Sequence, residues 1–406
     1  MIKLFIAIFT TSILLSGCSR YVLYLQNSNS TKLELKKEEG KNQYCKSVDN
    51  LNIYHNSDYS ISEFKKILAK TKGLNFREKV ILYIIYQIQV RNDATDWVSR
   101  TQLHFKFNDT MVSQDFQSGD FPLISALMKI SNRKELKKLI KRSNYLFPKK
   151  LKVQQNLNFY LENNKSIFKS NKRLKEKFFR IEKPLQKGES FTRDNLSLPK
   201  LLNITNPKGY IFPLKTQDRE VGFCNFDSAL YDNGIFLIDG IDYQENIFGL
   251  FDQESYFLMV TKKQIKNDLK QSKKSHYFQG VPSNSLSPFC VYSNNNNKLI
   301  TVGFNSRDPG QVLYQLFNYK IYDAKTPAEL AQYLNFPRHQ FLTKPSRLLF
   351  ESKKGTAKQL DYFLSFNFPV YHIENLGGVN AILERDGKVN FIDDNRVESV
   401  QSCQLK

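Results

Sequence analysis

The spacing of apolar positions changes character near residue 182. Between residues 51 and 182 the pattern is helical. Ser60 and Glu63 have capping-box spacing ahead of FKKILAK, and EKVILYIIYQIQV is an almost unbroken apolar run of 13 residues. A membrane span needs about 20 apolar residues, so this run predicts a buried core helix. TQLHFKF alternates and predicts one short strand. In NRKELKKLIKR, Asn132 and Glu135 again fit a capping box; Leu136, Leu139 and Ile140 form an apolar stripe, with Lys134, Lys137, Lys138 and Lys141 on the opposite side. A helix over roughly 153–168 and another in NKRLKEKFFRI, striped by Leu174, Phe178 and Ile181, complete the pattern. From 183 onward, short aromatic or β-branched runs alternate with turn signals. NNNN separates PFCVYS from KLITVGF, and Asp386-Gly387 separates ILER from KVNFID, so both pairs read as hairpins. In TPAELAQYL, Thr326 caps, Pro327 takes the first helical position and Glu329 closes the box. The expected fold class is α+β: a basic all-α helical domain over 51–182, then a β-rich α+β domain of antiparallel strands over 183–406.

The chain opens MIKLFIAIFTTSILLSGCSR, with one lysine, a dozen apolar or small residues, and a stop at Ser16-Gly17-Cys18. A basic start, a short apolar run and a small-residue site describe a secretory signal peptide over 1–17. Leu15-Ser16-Gly17-Cys18 resembles the lipobox of bacterial lipoproteins. That resemblance implies cleavage before Cys18, a thioether-linked diacylglycerol on its sulfur and acylation (palmitate) of the new amino terminus. Ser19 stands where such lipoproteins carry an inner-membrane retention aspartate, so the resemblance implies a lipid anchor in the outer membrane, within the cell envelope. Polar residues 18–50, with NSNST and KLELKKEEGK, read as a tether.

A chain with 41% hydrophobic residues can bury large cores and is no disordered stalk. Its net charge of +21 is lopsided: residues 18–200 hold 36 Lys/Arg against 18 Asp/Glu, and residues 201–406 hold 23 against 21. Export argues against nucleic acid as the partner. Membrane contact through the anchor, an anionic envelope polymer or an envelope protein fits better, and Lys134, Lys137, Lys138 and Lys141 are the candidate polyanion-binding residues. Four cysteines besides Cys18 suggest two disulfides in an exported chain, with Cys224–Cys290 and Cys45–Cys403 the favoured pairing.

Chemistry is harder to find. The sequence has no GxSxG, HExxH or Walker A motif, and its five histidines stand apart. No cofactor and no metal ion is called for. DNGIFLIDGIDYQEN carries Asp239, Asp242 and Glu245, whose carboxylates could serve a hydrolase or simply close turns. Lys187-Gly188-Glu189 with Thr192, Asp194, Asn195 and Leu196 resembles the opening of the SAF module of sialic acid synthases and flagellar P-ring chaperones. That module implies glycan or protein recognition. The segment lacks the module's second Lys-Gly turn and needs physically only a turn at Gly188 and a cap before a short helical turn. The main expectation is therefore a non-catalytic, lipid-anchored envelope protein that binds a protein or anionic polymer. The alternatives are an envelope hydrolase of glycan or ester bonds working through the acidic cluster, or a small-ligand carrier.

Overall fold

A computed structural model describes residues 42–44, 280–282 and 396 together with most of 51–199, 212–224, 246–265 and 289–394. Its centre is an antiparallel sheet. The strands are β2 (Asn52–His55), β3 (Arg100–Phe107), β4 (Thr110–Phe116), β11 (Asn246–Phe251) and β12 (Tyr256–Ile265), in the order β2-β11-β12-β3-β4, with β13 (Gly280–Pro282) beside β12. A second antiparallel sheet runs β1-β20-β19-β15-β14-β10-β9. Its strands are β1 (Asn42–Tyr44), β9 (Phe212–Thr216), β10 (Arg219–Cys224), β14 (Phe289–Asn294), β15 (Asn297–Phe304), β19 (Gly378–Arg385) and β20 (Lys388–Ile392).

The two sheets stack face to face. Phe391 of β20 lies flat on Tyr54 of β2 at 5.5 Å and edge-on to Phe251 of β11 at 6.0 Å, while the Asn380 amide of β19 donates to the Tyr54 hydroxyl at 2.8 Å. Helices α1 (Asp58–Ala69), α2 (Phe76–Val90), α3 (Pro122–Ile130) and α4 (Arg133–Leu146) cover the other face of the central sheet and share one apolar core with it. Helices α7 (Pro309–Asn318) and α8 (Pro327–Leu334) cover the outer face of the second sheet through Val312, Leu316, Leu330, Val379, Ala381 and Leu383. The layers run helix, sheet, sheet, helix.

Two smaller modules flank this sandwich. In one, α5 (Gln155–Asn163) and α6 (Lys172–Phe178) pack with the pairs β5 (Lys150–Lys152)/β8 (Ser190–Thr192) and β6 (Phe179–Arg180)/β7 (Lys183–Pro184). In the other, β16 (His339–Thr343), β17 (Ser346–Phe350) and β18 (Val370–His372) carry α9 (Ala357–Leu364).

The α+β class with antiparallel sheets is as expected, but the all-α first half is not observed. Strands β2, β3 and β4 come from residues 52–116 and form one sheet with β11 and β12 from residues 246–265. The reason lies in burial. The described residues of β2, and most of β3, are buried on both faces, so they lack the alternation that marks a half-exposed strand. Several local expectations are met. Helix α2 is buried from Val80 to Val90. Asn132 caps α4 by accepting from the Glu135 amide at 2.9 Å, and Thr326 caps α8 with Pro327 at its first position. Both expected hairpins, β14/β15 and β19/β20, are present. The box expected at Ser60 is not a start, since α1 begins at Asp58 and the Glu63 carboxylate accepts from the Tyr86 hydroxyl at 2.9 Å. Gly188 does turn, at φ +88°, but Arg193–Pro199 form no helical turn.

Candidate active site

One end of the central sheet is charged, with a cluster of buried polar and ionic side chains on both of its faces. Across the strands, Asn246 of β11, Thr261 of β12 and Thr101 of β3 stand in one row, and Lys262 stands directly opposite Arg100. Side chains alternate between the faces of a sheet. Phe257, Met259, Leu103 and Phe105 point into the helical core, so Asn246, Thr261 and Lys263 share that side. Lys262, Arg100, Gln102 and Asp115 point into the seam between the two sheets.

On the helical side, α2 ends at Val90 and the segment RNDATD folds back over the strand ends. Arg91 binds the Asp93 carboxylate through Nε at 3.1 Å and Nη2 at 2.9 Å, and donates through Nη1 to Asn246 Oδ1 at 3.2 Å. The Asn246 amide donates to Thr95 Oγ1 at 2.8 Å and to Gln87 Oε1 at 3.2 Å. The hydroxyls of Thr95 and Thr261 are 2.7 Å apart. His55 Nε2 lies 3.0 Å from Gln87 Oε1, and Lys263 Nζ lies 3.4 Å from Asp96 Oδ2. Arg91, Asp93, Thr95, Asn246, Thr261 and Lys263 are all fully buried. Burial pushes the Lys263 ammonium below its ordinary value, with Asp96 and Asp93 opposing that shift. Removing one member of such a network strands charge in the core, so the whole loop and the strand ends are held as a unit.

On the seam side, Arg100 forms a two-point contact with Asp115, through Nε to Oδ1 at 3.2 Å and Nη2 to Oδ2 at 2.6 Å. Lys262 and Arg100 keep 5% and 6% exposure, so this end touches solvent. Two cations facing each other across neighbouring strands repel, which a strand pair serving stability alone avoids. Gln102, the cross-strand partner of Asp115, is fully buried, and among the described residues neither of its amide atoms has a hydrogen-bond partner. An unpaired buried amide costs about 1–3 kcal/mol. Further along the seam, His104 Nε2 meets the Tyr256 hydroxyl at 2.8 Å. Together these groups form a lined polar seam with hydrogen-bond donors and positive charge, suited to an oxygen that gains negative charge.

Few of the residues singled out in the sequence come together here. Lys134, Lys137, Lys138 and Lys141 are exposed on α4, opposite buried Leu136, Leu139 and Ile140. Cys224 and Cys290 stand directly opposite each other on β10 and β14. Cys18, Cys45, Cys403, Asp239, Asp242 and Glu245 lie outside the described residues, although Glu245 immediately precedes Asn246 in the chain. Asp394 belongs to a structural clamp: it accepts from Arg338, from Arg396 Nη1 at 3.2 Å and from the Val379 amide at 3.0 Å, while Glu351 holds Arg396 at 2.6 Å. Asp194 is no cap either; it pairs with Lys177 at 2.9 Å and Arg173 at 3.2 Å. Among the described residues no three His, Cys, Asp or Glu side chains converge to hold a metal ion. The signals that sequence reading missed are the charges of RNDATD after an apolar helix and Lys262-Lys263 at the end of the apolar run YFLMV.

No protein-family model and no curated protein matches the sequence. Solved structures match over nearly the whole chain. The cephalosporin acylase of Bacillus halodurans superposes with a TM-score of 0.56, covering 90% of this chain and 97% of its own at 8% identity. LmbA2991HD superposes with a TM-score of 0.59, covering 91% of this chain and 99% of its own at 7% identity. The expectation of a non-catalytic binder is thereby corrected, because the hydrolase alternative fits these neighbours and the main reading does not. At so low an identity the likeness is one of fold: over 90% of its length this chain is similar in fold to the Bacillus halodurans cephalosporin acylase.

Proposed function

We propose that this protein is a hydrolase of acyl bonds, amide or ester, working at the charged end of the central sheet. The observation that carries the reading is the whole-length likeness to an acylase, 90% of this chain against 97% of that one. The seam supplies matching chemistry. On this reading the unpartnered Gln102 amide hydrogen-bonds an acyl carbonyl, and Lys262 with Arg100 stabilises the oxyanion formed when water adds to that carbonyl; Asp115 holds Arg100. Buried charged groups concentrated at one end of a sheet, with the Lys263 ammonium pushed below its ordinary value by burial, favour an active site there. The acidic cluster Asp239, Asp242 and Glu245 is the candidate for proton transfer, since the chain leads from Glu245 straight into Asn246. The test is a panel of chromogenic acyl anilides and acyl esters at neutral pH. The reading expects release of the chromophore above that given by heat-denatured protein. No release from either class would overturn it.

We also propose that the protein is exported and anchored through lipid on Cys18, in the cell envelope and with the outer membrane as its address. The lipobox-like Leu15-Ser16-Gly17-Cys18 supports this. Labelling with a radioactive fatty acid should mark the wild type and not Cys18→Ser, which should accumulate as precursor; equal labelling would remove the anchor.

A further inference from the structure

The hairpin of β6 and β7 turns through two residues, Ile181 and Glu182, both left-handed at φ +47° and +67°. Such tight turns favour Asn-Gly, because side chains crowd the backbone there, and a β-branched residue fits worst. Ile181 is also 97% exposed, so its side chain gains almost nothing by packing within the molecule. Its surroundings are mostly cationic; the acids nearby are Glu176 and the turn residue Glu182, which pairs with Lys175. Lys172, Arg173, Arg180 and Lys183 are exposed around the hairpin. Arg193 ties this module to α4, donating to the carbonyls of Phe147 at 3.1 Å and Pro148 at 2.9 Å, while its neighbour Asp194 holds Lys177 and Arg173 of α6. The exposed lysines of α4 therefore belong to the same rigid unit, and residues 129–187 carry 19 Lys/Arg against four Asp/Glu.

We infer that this hairpin is a membrane-docking tip that puts Ile181 into an anionic bilayer while the lysines and arginines around it engage lipid headgroups. A single projecting apolar side chain with basic residues in excess around it matches the layering of a bilayer surface, hydrocarbon beneath negative charge. A protein partner is expected to meet a broader, aromatic-rich patch. Neither the acyl-hydrolase reading nor the anchor at Cys18 is needed for this inference.

The test uses the full chain carrying Cys18→Ser, with I181W as the reporter. The native chain has one tryptophan, Trp97, only 7% exposed, which gives a constant background. With vesicles of phosphatidylglycerol and phosphatidylcholine at low salt, emission from I181W should shift to the blue and be quenched by brominated acyl chains. Phosphatidylcholine vesicles alone, or high salt, should produce neither change. Ile181→Asn relieves the turn and removes the apolar tip, and should weaken binding to the anionic vesicles about tenfold while leaving the melting temperature equal or higher. Unchanged emission with anionic vesicles would overturn the inference. So would wild-type affinity in Ile181→Asn, or binding to soluble heparin as tight as to vesicles and indifferent to Ile181→Asn, since either result assigns the surface to charge alone.

Discussion

Asn246 joins the end of strand β11 to the loop that follows α2. Its carboxamide accepts from Arg91 and donates to Thr95 and Gln87, and it is fully buried. Asn246→Ala leaves a guanidinium, a hydroxyl and an amide oxygen short of a partner, and we expect a loss of about 2–4 kcal/mol in urea denaturation. Asp394 sets a pH dependence. Burial alone raises its pKa, but Arg338 and Arg396 outweigh that effect and hold the carboxyl below its ordinary value. The folded value thus lies below the unfolded one of about 3.9, so the stabilisation is present above that pH and disappears as pH falls through the folded value. Wild-type protein should lose stability below about pH 4. Asp394→Asn should already be less stable at neutral pH, by about 3–5 kcal/mol, with a shallower acid limb in thermal melts from pH 3 to 7. Neither role was legible in the sequence: Asp394 sits in an unremarkable Asp-Asp-Asn, and the side-chain partners of Asn246 lie 151–159 positions away.

At the scale of elements, caps and hairpins were legible because their chemistry is local. Thr326, Pro327 and Glu329 stand within one helical turn, and Asn294 pairs with Asn297 across a two-residue turn. The central strands were harder to read. In β11 every residue is buried, so NIFGLF shows no alternation and carries no hint of its neighbours β2 and β12. Gly249 shows how tightly that strand is held. A Cβ there would lie 2.5 Å from the Phe257 carbonyl oxygen, and backbone cannot yield as the end of a side chain can. Gly249→Ala should therefore cost about 2–4 kcal/mol, read as a lower urea midpoint with an unchanged slope. A loss under about 0.5 kcal/mol would mean that β11 sits less closely against β12 than described.

For the whole molecule, the change of texture near residue 182 is real, but it does not divide an all-helical part from a sheet part. The chain uses its first half to lay down a helical layer and three strands, then returns with β11 and β12 to fill the middle of the same sheet. Nothing local in LNIYHN or RTQLHFKF announces partners 150 to 199 residues later, which is why the layered sandwich escaped sequence reading. Cys224 and Cys290 face each other on β10 and β14. Directly paired residues of antiparallel strands have Cα atoms about 4.5–5.5 Å apart, inside the range a disulfide spans. Non-reduced peptide mapping of protein from an oxidising compartment should recover that bridge, and two free thiols would exclude it.

The central claim is that the charged end of the central sheet carries out acyl-bond hydrolysis. Lys262→Met tests it most directly, because methionine keeps the stem of the side chain and removes only the charge. The measurement is kcat/KM on a hydrolysed acyl substrate for wild type and variant, alongside their melting temperatures. The account predicts a loss of about 100-fold or more, the scale of an oxyanion-stabilising group, with the variant still folded. A folded Lys262→Met protein as active as wild type would contradict it.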